Sequence, residues 1–102
     1  MTFVLRALWG ARPPVSTILL PGVVSTVFVH HNGDGHGGAH TVAAGSQKMR
    51  DDQRYHMDQL GWSDIGYTYG FDQAGNVYEG RGWHVVGAHT EGFNRTSYAF
   101  VA

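Results

Sequence analysis

The sequence predicts an α/β fold in which a mixed central β-sheet carries a helix packed on one face. Three observations support this prediction. An apolar, β-branched run covers residues 23–31, as is typical of a strand. A helix-length segment with one apolar face follows at residues 46–60. Two further strand-like runs then flank a turn at residues 72–76. A chain of 102 residues with this order of elements is expected to form one small domain.

The first 45 residues are expected to contain one strand between two irregular segments. Residues 1–22 include Pro13 and Pro14, which remove backbone donors and cannot lie inside a helix. The strand covers Val23–His31. The loop that follows, at residues 32–45, contains five glycines and is expected to be exposed.

Residues 46–60 are predicted to form the one clear helix. Ser46 is the expected N-cap, and Asp51 and Asp52 lie early in the helix, where the helix dipole favours negative charge. Gly61 is a suitable residue for the C-terminal end. The apolar face is expected to consist of Met49, His56, Met57 and Leu60.

The second half of the chain is expected to supply the remaining strands. Ile65–Phe71 and Val77–Glu79 form the predicted hairpin, and Val85–Val86 and Tyr98–Val101 are two further candidates. Because the sequence stops inside the last apolar run, that strand is expected to leave one face or edge of the sheet uncovered. The chain is therefore interpreted as a partial domain, residues 1–102, truncated on its C-terminal side.

Composition excludes several classes of function. Seven basic and eight acidic side chains give a net charge of −1 without a basic stripe, which argues against nucleic-acid binding by charge. No apolar run approaches the roughly 20 residues that span a bilayer, so no membrane span is expected. The N-terminal residues lack the features of a signal peptide. Without cysteine the chain has neither disulfides nor thiolate ligands for zinc.

Two adjacent histidines at the end of the first strand are the first candidates for chemistry. Side chains alternate along a strand, so His30 and His31 face opposite sides of the sheet. An imidazole here, before a Gly-rich loop, can bind a metal or act as a base, or it can be a hydrogen-bonded strand-end histidine. Tyr67 can donate a hydrogen bond to an oxyanion, or it can be a tyrosine at the edge of the core. His89, which follows Gly87 and Ala88, can be a turn histidine whose ring is hydrogen-bonded to backbone groups.

The other histidines offer weaker signals. His36 and His40 are four residues apart, but in a Gly-rich loop that lacks the helical geometry for chelation, so they are interpreted as solvated. No His-Glu-x-x-His motif, nucleophile elbow or phosphate-type Gly loop is present in the sequence. The count of seven histidines leaves a metal-buffering or purely structural domain as a remote alternative.

Several motifs in a fixed order carry a resemblance to a known family. They are Arg6-Ala7-Leu8-Trp9-Gly10-Ala11-Arg12, Tyr55-His56-Met57-Asp58, Gly61-Trp62-Ser63-Asp64-Ile65-Gly66-Tyr67, Val77-Tyr78-Glu79-Gly80-Arg81-Gly82-Trp83, and Gly87-Ala88-His89-Thr90 with Gly92-Phe93-Asn94. Together they resemble the peptidoglycan recognition protein and type 2 N-acetylmuramoyl-L-alanine amidase family. The resemblance covers almost the whole chain. It implies a mixed β-sheet with helices on its faces and a groove that binds the glycan-linked stem peptide of peptidoglycan.

The resemblance also implies roles for individual residues. Enzymes of the family hold one zinc ion by two histidines and a cysteine or aspartate, and the zinc activates the water that attacks the amide between N-acetylmuramic acid and L-alanine. By position, His30 resembles the first zinc ligand and Tyr67 the catalytic tyrosine. His89 resembles the groove histidine. Further substrate contacts are implied at His31, Trp62, Arg81, Trp83, Thr90 and Asn94.

The sequence departs from the family pattern in its metal ligands. The second histidine and the third ligand belong to His-Arg-Asp-Val and Cys-Pro-Gly type motifs, which residues 1–102 do not contain. The chain alone is therefore expected to be inactive, as a fragment of a zinc amidase or as a remnant that no longer catalyses. The alternative is a non-catalytic peptidoglycan recognition module. The expected location is extracellular, by secretion or by delivery to the cell wall by a phage, as with an endolysin.

Overall fold

The computed structural model of the protein describes residues 1–31 and 39–102. Within them, five strands form one mixed sheet with the spatial order β1-β4-β3-β5-β2. The strands are β1 (Phe3–Val4), β2 (Thr26–His30), β3 (Tyr69–Phe71), β4 (Val77–Glu79) and β5 (Ser97–Val101). The helices are α1 (Arg6–Trp9) and α2 (Val42–Arg54), and α2 continues into a π-helical segment at Tyr55–Gln59. None of these helices is long and apolar enough to cross a membrane.

The direction of the strands confirms the prediction of a mixed sheet. Strands β3 and β4 are antiparallel, whereas the pairs β1–β4, β3–β5 and β5–β2 are parallel. The hairpin turn forms as predicted between β3 and β4. The Asp72 carboxylate accepts hydrogen bonds from the backbone N–H groups of Ala74 and Asn76, and Gly75 adopts a positive φ of 84°.

Helix α2 begins four residues earlier than the sequence predicts. Its N-cap is Thr41, whose hydroxyl accepts a hydrogen bond from the Ala44 N–H, and the expected N-cap Ser46 lies buried inside the helix. Tertiary contact explains the difference. A Cβ atom at Gly45 would overlap the Tyr78 hydroxyl, so the first turns of α2 lie directly on strand β4.

The remaining strands differ from the prediction in length and position. Strand β3 is shorter than predicted, and residues 65–68 before it form a loop. Val85 forms one isolated bridge with Leu19 in place of a strand. Strand β5, the predicted uncovered strand, lies between β3 and β2, so that among the described residues β2 is the edge strand on that side.

The two faces of the sheet are covered differently. On the face that carries α2, which we call the helix face, Met49, Tyr78 and Val101 pack around Gly70. His30 pairs in register with Val101 and therefore points to the same face. The opposite face, which we call the aromatic face, carries the contacting rings of Phe3, Tyr69, Trp83, Tyr98 and Phe100.

Candidate functional site

The structure brings four of the candidate side chains together at the end of strand β2. The rings of His30 and Tyr67 lie 5.7 Å apart, and those of His30 and His89 lie 6.0 Å apart, measured between centroids. The Thr90 hydroxyl is 3.2 Å from His30 Nε2. These residues come from three separate segments: the end of β2, the loop before β3, and the loop after residue 86. The sheet and its connecting loops thus assemble one site on the helix face.

The Thr90 hydroxyl connects the two histidines of the site. Its Oγ1 atom lies 3.2 Å from His30 Nε2 and 3.1 Å from His89 Nδ1. A hydroxyl has one proton, so it can donate to at most one of the two rings and must accept an N–H from the other. The tautomers of the two histidines are therefore coupled through Thr90.

His89 is held as a neutral ring with one free nitrogen. Burial, together with the nearby His30 and Arg81 and against an opposing contribution from the Ser97 backbone, lowers its pKa to about 4. Its Nε2 atom is buried without a hydrogen-bond partner of standard geometry.

The loop that carries His89 and Thr90 is fixed by Asn94. The Asn94 Oδ1 atom accepts hydrogen bonds from the backbone N–H groups of both residues, at 2.9 and 3.0 Å. A single side-chain amide oxygen thus holds the backbone of both loop residues in place. The structure gives Asn94 a positioning function in addition to the substrate contact that its sequence motif implies.

Tyr67 lies between two imidazole rings. Its ring centroid is 5.7 Å from that of His30 and 5.5 Å from that of His56. Burial raises the pKa of the Tyr67 phenol, and the Asp52 carboxylate adds to the effect. The phenol therefore keeps its proton at neutral pH and can donate a hydrogen bond to a ligand.

An open groove of about 420 Å³ lies beside these residues. It is lined by Trp62, Ala88, His89, Thr90, Glu91, Gly92 and Asn94. The indole of Trp62 provides a flat apolar surface, and the loop residues provide hydroxyl and amide groups. This mixture suits a ligand with both apolar and hydrogen-bonding parts. A second, much smaller cavity, of about 20 Å³, lies under α2 around Asp72, but the carboxylate there is already hydrogen-bonded to Asn76 and Tyr78.

Three residues implied by the resemblance lie apart from this cluster. Trp83 contacts Tyr69 and Tyr98 on the aromatic face, across the sheet from His30. Arg81 directs its guanidinium inward, where it donates hydrogen bonds to the carbonyl oxygens of Ile65 and Val86. His31 is exposed at the end of the described segment. His36 lies outside the described residues, and His40 is exposed.

His56 belongs to the site although sequence reasoning assigned it only to the packed side of a helix. Its Nδ1 atom accepts a hydrogen bond of 2.9 Å from the Gly66 N–H. Its ring also lies 4.6 Å from the indole of Trp62. The available signal was the position of His56 in the motif that directly precedes the Gly-Trp motif, but spacing alone does not show that the two meet.

The described residues do not form a zinc site by themselves. In residues 1–31 and 39–102, no group of three or more histidine, aspartate, glutamate or cysteine side chains is placed to hold a metal ion. Catalytic zinc requires three protein ligands. His30 is accessible as one such ligand, but the described residues supply no set that completes the coordination.

Sequence comparison finds peptidoglycan-recognition proteins and N-acetylmuramoyl-L-alanine amidases among the proteins similar to this chain. No family model matches the chain. Peptidoglycan-recognition protein SC2 of Drosophila simulans is 41% identical over 97 residues, which are 95% of this chain and 52% of the relative. Human N-acetylmuramoyl-L-alanine amidase is 41% identical over 96 residues, which are 91% of this chain and 16% of the relative.

Solved structures agree with these sequence relatives. Wild-type Drosophila PGRP-LB superposes with a TM-score of 0.91 at 35% identity, over 97% of this chain and 58% of that one. The complex of tracheal cytotoxin with the PGRP-LCa and PGRP-LCx ectodomains gives a TM-score of 0.90 at 35% identity, over 99% and 60%. The chain thus spans about half the length of the recognition-protein relatives that it matches.

Proposed function

Since the chain belongs to the peptidoglycan recognition protein and type 2 N-acetylmuramoyl-L-alanine amidase family, we propose that its groove binds a muramyl peptide of peptidoglycan. The observation that carries the proposal is the cluster of His30, Tyr67, His89 and Thr90 beside an open groove. The relative whose structure contains tracheal cytotoxin supports a ligand of this class.

The chemistry of the groove fits a mostly neutral ligand rich in amide and hydroxyl groups. His89 lines the groove, and Tyr67 beside it carries a phenol that can donate a hydrogen bond. Both groups are uncharged at neutral pH, so recognition rests on hydrogen bonds and on the indole of Trp62. The peptide bonds and sugar hydroxyls of a muramyl peptide match this set of groups.

The zinc-dependent hydrolysis implied by the resemblance is a proposal for the whole protein. The described residues supply His30 but no complete ligand set, so we assign no catalytic step to this chain. We expect the chain of 102 residues to bind muramyl peptide without cleaving it. The relatives reported above are animal proteins, and none of them supports delivery by a phage. Extracellular action on the cell wall remains part of the proposal.

The proposal is tested by titrating the chain with a soluble muramyl tetrapeptide in a calorimeter. Wild-type protein is expected to give saturable binding. Thr90→Val removes the hydroxyl that links His30 and His89, and a single hydrogen bond is worth about 0.5–1.5 kcal/mol, so we expect roughly two- to tenfold weaker binding.

Thr96→Val is the matched control, because Thr96 is an exposed threonine on the same loop whose hydroxyl donates to the Phe93 carbonyl oxygen and is not hydrogen-bonded to either histidine of the site. Its affinity is expected to equal that of the wild type. Absence of saturable binding by the wild type, or equal affinity in the Thr90→Val variant, would contradict the proposal. Mass spectrometry of the recovered peptide checks hydrolysis: cleavage that disappears in His30→Ala would show that the chain is catalytic by itself.

A further inference from the structure

His56 makes a hydrogen bond whose direction is unambiguous. It lies in the π-helical segment Tyr55–Gln59, and its Nδ1 atom is 2.9 Å from the backbone nitrogen of Gly66. A backbone N–H can only donate, so Nδ1 must accept and carries no proton. The neutral ring is therefore the tautomer with its proton on Nε2. Protonation of Nδ1 would break this bond.

Gly66 connects His56 to both loops of the site. Its N–H donates to His56, and its carbonyl oxygen accepts a hydrogen bond of 2.9 Å from the Ala88 N–H. Tyr67 follows Gly66 in the chain, and His89 follows Ala88. Gly66 is thus bound on one side to the end of the helix and on the other to the loop that carries His89.

The surroundings of Gly66 leave no room for a side chain. A Cβ atom at this position would overlap the Ala88 carbonyl and would lie 2.9 Å from the Trp62 ring. The two loop backbones therefore approach each other directly, and the position of the Gly66 peptide determines where both loops lie. The acceptor that fixes this peptide from the helix side is a side chain, not a backbone group.

The ring of His56 lies close to two other aromatic rings. Trp62 lies 4.6 Å away and Tyr67 lies 5.5 Å away, measured between ring centroids. The Trp62 N–H also donates to the His56 carbonyl oxygen at 2.9 Å. Burial, with a further contribution from Arg81 and an opposing one from Asp64, lowers the pKa of His56 to about 4. The ring is therefore neutral at pH 7.

We propose that His56 is a positioning residue, whose Nδ1 atom fixes the Gly66 peptide and thereby sets the positions of Tyr67 and His89. Its contribution is made through Gly66 and requires no contact between the imidazole and a ligand. The inference deepens the proposed function, since it concerns the loops of the same groove. Its first test needs no ligand, so the two can fail separately.

The test compares three substitutions at His56 with a control. The amide oxygen of asparagine can occupy the position of Nδ1, that of glutamine reaches the position of Nε2, and phenylalanine keeps the ring without an acceptor. His56→Asn is expected to keep Gly66 amide exchange within about threefold of the wild type. His56→Gln and His56→Phe are expected to accelerate it at least about tenfold and to shift the Tyr67 and His89 signals in NMR spectra. His40→Phe, at an exposed histidine, is the control and should change neither.

Equal protection in His56→Phe, or equal disturbance by asparagine and phenylalanine, would overturn the proposal, because the ring would then act by packing alone. A measurement on the wild type covers the case in which a variant does not fold. The ¹⁵N signal of His56 Nδ1 is expected to be that of an unprotonated nitrogen at pH 7, and a protonated Nδ1 would also overturn the proposal. Muramyl tetrapeptide affinity follows as the last readout: retention in His56→Asn with loss in His56→Phe supports the positioning function, and unchanged affinity in His56→Phe contradicts it.

Discussion

The two ends of the strand order, the β1 end and the β2 end, are stabilised by different kinds of interaction. Around β1, β4 and β3, buried polar side chains connect distant parts of the chain. Asp64 accepts hydrogen bonds from the Arg6 guanidinium at 2.8 and 3.1 Å, from the Gln53 amide at 2.9 Å, and from the Ile65 N–H. Asp64 and Gln53 are almost completely buried. We call this part of the molecule, in which Asp64 links Arg6, Gln53 and Ile65 beside strands β1, β4 and β3, the frame.

Strand β2 lies at the opposite edge of the sheet, and none of its five residues is fully buried. Among the described residues it pairs with β5 alone. On the aromatic face its side chains Val27 and Val29 are 56% and 69% exposed. His30 is the last residue of this strand.

The difference shows that the candidate site is supported unequally. Tyr67 and His89 belong to loops tied to the frame through Gly66, Ala88 and Arg81. His30 is carried by the edge strand, where its ring lies beside those of Tyr67 and His89 and is within hydrogen-bond distance of the Thr90 hydroxyl. Local opening is expected to begin at β2, because elements with few buried contacts open at the lowest free energy. Such opening would separate His30 from Tyr67 while the frame stays folded.

Removal of Asp64 is expected to produce the largest loss of stability. Asp64→Ala leaves the Arg6 guanidinium without its carboxylate, and breaking a buried pair in this way costs about 3–5 kcal/mol. Asp58→Ala is the matched control, since Asp58 pairs with Arg12 where both side chains are nearly half exposed, and exposed pairs contribute about 0–1 kcal/mol. Urea denaturation measures both. Similar losses in the two variants would show that the frame does not depend on its buried charge pair.

A decrease in pH is expected to weaken the frame through His56. Burial, with help from Arg81, lowers its pKa from 6.5 to about 4 in the folded protein, so the unfolded chain binds the proton first. Stability from this group is complete above pH 6.5 and is lost as the pH falls towards 4. His89, with a pKa lowered to the same value, adds to the loss.

The urea midpoint at pH 7, 6 and 5 measures how steeply stability falls with decreasing pH. His56→Asn is expected to reduce this slope. The contribution of Asp72 is lost in a different pH range from that of His56, so the two can be distinguished. Burial alone would raise its pKa, but hydrogen bonds from Asn76 and Tyr78 outweigh that effect and keep it below 3.8, so its contribution is lost only in more acidic solution. An unchanged slope in the asparagine variant would show that His56 is not the titrating group.

Local sequence signals predicted the parts of the fold that local chemistry decides. The hairpin turn was correctly placed because Asp72 and Gly75 specify it within five residues. Strand β4 has the predicted bounds for the same reason. The start of α2 was wrong because Ser46 and Thr41 are both acceptable caps, and the choice between them depends on the contact of Gly45 with Tyr78 across the sheet.

The candidate site was predictable as a set of residues but not as an arrangement. The motifs indicated His30, Tyr67, His89 and Thr90, which the structure brings together, and their roles in binding or catalysis remain predictions. The same motifs did not separate Trp83 from them, because the face on which a loop side chain lies depends on which strand it packs against. The partners of Arg81 and His56 are likewise carbonyl and amide groups of loops that only the complete fold brings near.

The smallest effect is expected at the exposed edge. Val29→Thr keeps the β-branched shape that strands favour and adds a hydroxyl that water can reach, so stability should change by less than about 0.5 kcal/mol. Val101→Thr makes the same substitution on the adjacent strand, where the side chain is 3% exposed on the helix face, and burying an unpaired hydroxyl there costs about 1–3 kcal/mol. Urea denaturation of the two variants directly compares the exposed edge strand β2 with the buried strand β5 beside it. If Val29→Thr were as destabilising as Val101→Thr, the edge strand would be packed against something in solution, and the unequal support of His30 and Tyr67 would have to be abandoned.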